Sequence, residues 1–71
     1  MNTGPTVENA SRHAAMLKAE CERLNARLGA LTAANDHMGV IVTAERCAAM
    51  RLRYEEAREA LERAQAEAGG A

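Results

Sequence analysis

Aromatic rings are almost missing from this sequence. Tyr54 is the single one, with no Phe and no Trp, so a core anchored on large rings is excluded. Proline occurs once, at Pro5, which leaves the rest of the chain free to be helical. No stretch approaches the roughly 18 apolar residues that cross a bilayer, and the opening MNTGPTVENA lacks a basic segment followed by an apolar run. A cytoplasmic protein is the expectation. The two cysteines, Cys21 and Cys47, stand in neither a CxxC nor a disulfide-framework spacing, and read as small core residues. Net charge is -1, with both signs interspersed, so the basic footprint of a general nucleic-acid binder is absent.

Chemistry is missing as well. His13 and His37 have no cysteine or carboxylate at a ligand spacing, so no metal is expected. Paired carboxylates, a nucleophile motif and a glycine-rich phosphate loop are all lacking, and no cofactor is implied. A chain of 71 residues also has little room for an enclosed cleft. The expectation is a protein that is not an enzyme.

What remains is alanine, glutamate, arginine and leucine in heptads. Val7, Ala14, Cys21 and Leu28 fall at a, with Ala10, Leu17, Leu24 and Leu31 at d. A second series places Cys47, Tyr54, Leu61 and Ala68 at a, with Met50, Ala57 and Ala64 at d. These seams predict an all-α, antiparallel two-helix coiled-coil hairpin forming one domain. The first helix is expected over about residues 5–38, started by Pro5 with Thr3, Gly4 or Thr6 as cap. The turn is expected at about 39–43 and the second helix at about 44–68.

Within that turn Gly39 reads as the left-handed residue that ends the first helix, and Thr43 as the N-cap of the second. Val42 would then staple onto Cys47, leaving Ile41, Met38 and His37 as an exposed apolar tip. Folding about Gly39 pairs seam residues whose numbers sum to 78, such as Leu17 with Leu61 and Leu31 with Cys47. In that register the layers nearest the termini are alanine pairs, which bury little area and should fray. Glu20 would face Arg58, and Arg27 would face Arg51. With Arg46 and Arg53 they would form a positive band. Cys21 and Cys47 would lie roughly 15 Å apart along the axis, too far for a disulfide.

A two-helix hairpin leaves the outer side of each stripe wet, so pairing of two copies into a four-helix bundle is expected. Ala30, Ala34, Ala48 and Leu52, beside the seam residues Leu28, Leu31, Met50 and Tyr54, are the expected dimer face. The candidate partner-binding residues are His37, Met38 and Ile41 at the tip with Arg27, Arg46, Arg51 and Arg53.

The alternation of small and large residues through these layers resembles the Rop family of plasmid-encoded hairpin dimers. That resemblance implies a four-helix dimer that binds paired RNA hairpins through one helical face. The size and architecture are also similar to small phage proteins that disarm host factors, among them quorum-sensing anti-activators and helical anti-CRISPR proteins. With no catalytic motif, an exposed apolar tip and an arginine band, the leading expectation is a small non-enzymatic protein that binds another protein, in line with that likeness an inhibitor that masks a DNA-binding or oligomerisation surface of a host regulator. The competing expectations are an RNA- or DNA-binding regulator and a structural coiled-coil subunit.

Overall fold

A computed structural model describes residues 3–70 of the chain, with side-chain exposure described for 7–69. It is a hairpin of two helices, α1 (Thr3–Ala33) and α2 (His37–Gly70), which pack against each other along their length. The molecule measures 53 × 14 × 12 Å. The caps expected of Thr3, Gly4 or Thr6 lie outside the described side chains.

The turn is shorter, and set earlier, than the sequence predicts. α1 ends at Ala33 rather than near 38, and α2 begins at His37, so the whole of the expected turn is helical. The reason is local hydrogen bonding. Asn35, not Gly39, takes the left-handed conformation, with φ 58°. Its N–H donates to the Thr32 carbonyl at 3.1 Å, and the Asp36 N–H donates to Leu31 at 3.0 Å. These two bonds form a Schellman motif that satisfies the last carbonyls of α1. Asp36 then caps α2: its Oδ1 accepts from the Gly39 N–H at 3.0 Å, and its carbonyl accepts from Val40 at 2.9 Å. Asn35 and Asp36 thus close one helix and open the next.

Gly39 therefore has a different task from the one expected. It sits in the first turn of α2 without a positive φ. A Cβ placed there would lie 2.7 Å from Asp36 Oδ2 and 2.9 Å from its Cγ. The missing side chain is what lets the capping carboxylate close over the helix end. Thr43 is not an N-cap but an interior residue of α2, only 4% exposed on the seam. Val42, freed from stapling, is exposed.

Moving the turn moves the register by one heptad. A turn centred between Asn35 and Asp36 sets Leu31 opposite Val40, Leu28 opposite Thr43 and Leu24 opposite Cys47. Further along, Cys21 faces Met50, Leu17 faces Tyr54, Ala14 faces Ala57, Ala10 faces Leu61 and Val7 faces Ala64. Every layer still pairs an a with a d, because a seven-residue slip preserves the heptad phase. The slip brings Val40 and Thr43 into the seam and gives Val7 a partner, which the longer turn would deny it.

Burial follows this seam. Among the described residues Ala14 and Ala57 are the two buried apolar ones, each 6% exposed; Thr43 is buried as well, and the other seam positions from Val7 to Ala64 are half-buried. Ala68, expected as the last seam residue, is exposed. The run of alanine layers expected near the termini is replaced by a single Ala14–Ala57 layer, flanked by layers carrying Leu61 and Tyr54. Among the described residues no large side chain is fully buried.

Candidate functional site

Two open grooves run along the flanks of the hairpin, one on each side of the seam. The first lies at the loop end, lined by Arg27 and Leu31 of α1, by Asp36 of the turn, and by Met38, Val42 and Arg46 of α2. The heptad explains the grouping, since Arg27 and Arg46 occupy g positions, which meet across an antiparallel pair. The second groove is bounded by Cys21 and Asn25 of α1 and by Ala48, Arg51, Leu52 and Glu55 of α2.

Apolar surface is concentrated in the loop half of α2. Met38 is 70% exposed, Ile41 55%, Val42 44% and Leu52 58%. One further large exposed apolar side chain, Met16, stands alone on α1. Burying a Met or Val side chain fully is worth about 1.5–3 kcal/mol, so this cluster is the largest store of unused binding energy on the described surface.

The arginines do not form one band. Arg27 and Arg46 share the loop-end groove with Asp36, whereas Arg51 lines the groove on the opposite flank and Arg53, a further g residue, borders neither groove. The expected Glu20–Arg58 pair across the helices is not made, because the heptad slip carries Arg58 past Glu20. Each pairs within its own helix instead, Glu20 with Arg23 and Arg58 with Glu62. The Arg58 guanidinium also stands 6.0 Å from the centre of the Tyr54 ring. Such exposed pairs contribute little to stability.

Of the other expected contact residues, His37 opens α2 and is exposed, as are Ala30, Ala34 and Ala48. Leu28, Leu31, Met50 and Tyr54 are half-buried in the seam. Val42 is the residue that reading the sequence missed. Its c position, off the seam, was visible in the heptad, but the stapling role assigned to it hid the signal.

Cys21 and Cys47 are both free thiols. The corrected register puts them in neighbouring layers, about 4.5 Å apart along the axis rather than roughly 15 Å, and both border the second groove. Among the described residues no three His, Cys, Asp or Glu side chains gather around a point that could hold a metal ion. No helix among them is long and apolar enough to cross a membrane. No protein-family model, curated protein sequence or solved structure matches the chain.

Proposed function

We propose that this chain is a small non-enzymatic regulator that acts by binding another protein, as a homodimer of hairpins, and masks a DNA-binding or oligomerisation surface of its target. The observation that carries this reading is the loop-end groove, whose lining combines exposed Met38 and Val42 with Arg27 and Arg46. An apolar strip beside guanidinium groups suits a protein segment that presents aliphatic side chains next to carboxylates. Apolar burial supplies the affinity, and the charges supply orientation and encounter rate.

A nucleic-acid target fits this groove less well. RNA phosphates would be met by the two arginines, but Asp36 stands in the same groove with a negative charge of its own. The exposed apolar side chains would also remain wet against a phosphate backbone.

The test is affinity capture with the intact chain beside Met38→Asp and Arg46→Glu variants whose helicity is confirmed by circular dichroism. A partner held by the parent and lost by both variants, then rebound as a purified protein, is the expected result. Equal capture by all three overturns the groove as the binding site. Salt-dependent gel shifts on structured RNA, abolished by Arg46→Glu and not by Met38→Asp, would replace this reading with the RNA-binding one.

A further inference from the structure

We infer that the second groove is covered by another copy of this chain, and that the two hairpins associate with their loops at the same end. This rests on the paired-hairpin reading above and adds which face is used and in which orientation.

The first support is area. The chain exposes 5427 Å², whereas a compact monomer of 7.6 kDa exposes about 4,300 Å². The excess, about 1,100 Å², is comparable to the roughly 800 Å² that each partner buries in a standard interface. No large side chain is fully buried among the described residues, so the seam alone is a thin core. A second hairpin supplies the missing layer.

The second support is how the flank is graded. Along α2 it runs Ile41, Ala44, Ala48, with Leu52 at its edge, before turning charged at Arg51 and Glu55. Along α1 the matching edge runs Thr32, Gly29 and Asn25, then Glu22 and Lys18. A Cβ added at Gly29 would meet nothing within 4 Å, so a neighbouring helix can approach closely there.

A two-fold axis parallel to the long axis lays α1 of one copy antiparallel to α2 of the other, at the same height as in the hairpin itself. Thr32 then comes beside Ile41 of the second copy, Gly29 beside Ala44 and Asn25 beside Ala48. The next two steps set Glu22 beside Arg51 and Lys18 beside Glu55. Small meets apolar at the loop end, and opposite charges meet below it. Among the described residues none of these four charged side chains makes an ion pair within the hairpin. With loops at opposite ends, Ile41 and Ala44 would instead fall on the half of the partner that carries Glu55, Glu59 and Glu62.

One consequence bears on function. Loops at one end bring both Arg27–Met38–Arg46 grooves to a single pole, which makes the dimer a two-pronged binder for one target. Two sites engaging together raise avidity without any new contact.

The test needs no partner protein. Sedimentation equilibrium of the full chain should give a dimer at micromolar concentration. Lys18→Glu should raise its Kd about tenfold, since the like-charge contact it creates occurs twice, and Lys18→Glu with Glu55→Lys should restore the parent value. All four residues concerned are exposed, so folding is not at stake. Maleimide labelling of Cys21 and Cys47, which border the covered flank, should slow as protein concentration rises.

A spin label at Ala33→Cys, with both native cysteines changed to Ala, should give an inter-copy distance of about 20–30 Å, a bundle diagonal plus two label arms. A distance near the 53 Å long axis, or a double exchange that does not restore Kd, overturns the shared-end arrangement alone. A monomer at 100-fold higher concentration overturns the pairing altogether. The capture experiment on Met38 and Arg46 stands or falls separately, because both residues lie on the opposite flank.

Discussion

Asp36 and Gly39 should behave as one unit. The Asp36 carboxylate accepts the Gly39 N–H at 3.0 Å, and a methyl group at 39 would lie 2.7 Å from its other oxygen. Gly39→Ala therefore forces the carboxylate off the helix end. Two effects then oppose each other. Replacing Gly by Ala within a helix gains about 0.8–1.0 kcal/mol, and losing an Asp N-cap costs about 0.5–2 kcal/mol, typically near 1. The single substitution should change stability by less than about 0.5 kcal/mol, which by itself reveals nothing.

The double-mutant cycle separates the effects. Asp36→Ala in the parent should cost about 1 kcal/mol, a fall in Tm of about 4–8 °C for a domain this small. In the Gly39→Ala background the same change should cost almost nothing, so the coupling energy is about 1 kcal/mol. Chemical denaturation followed by helical circular dichroism measures it, with all variants at one protein concentration so that association contributes equally. Costs that add to within about 0.3 kcal/mol would refute the steric linkage. A loss above 2 kcal/mol for Gly39→Ala alone would instead mark a glycine needed for a left-handed turn.

Two further substitutions probe the seam. Thr43→Val should leave stability unchanged or raise it by up to about 1 kcal/mol, because position 43 packs into the seam opposite Leu28. An N-cap there would instead lose about 1 kcal/mol by the same denaturation assay. Ala57→Leu should destabilise by about 1–3 kcal/mol through overpacking, since the 6%-exposed Ala57 faces an equally buried Ala14. Ala64→Leu, at a half-buried position opposite Val7, should be tolerated, and equal penalties at 57 and 64 would contradict the layer assignment.

The site was partly legible. Exposure of Met38 and Ile41 follows from their place off the seam, and the heptad letters already separate Arg27 and Arg46, at g, from Arg51, at e. The expected Arg27–Arg51 pairing fails because a g and an e residue lie on opposite flanks in every register that keeps the heptad phase, and the register decides only that Arg46, not Arg53, shares the groove with Arg27. Asn35 and Asp36 are themselves good turn residues, but Gly39 and the apolar run after it place the expected turn at 39–43, whereas the helices are joined at 34–36. The ANDH stretch carries no proline and no glycine, so no strong helix breaker stands between Gly29 and Gly39.

The sequence by itself determined that this protein is a pair of long helices with one apolar stripe each. The a and d positions recur every seven residues, and only a helical hairpin brings both stripes together. It left the register open in steps of seven, because each such slip keeps every a against a d and costs no heptad match. The tertiary structure decided between them. A tight turn at Asn35 and Asp36 satisfies both helix ends within three residues and brings Val40 and Thr43 into the seam, and that choice sets which charges and which apolar side chains share a flank.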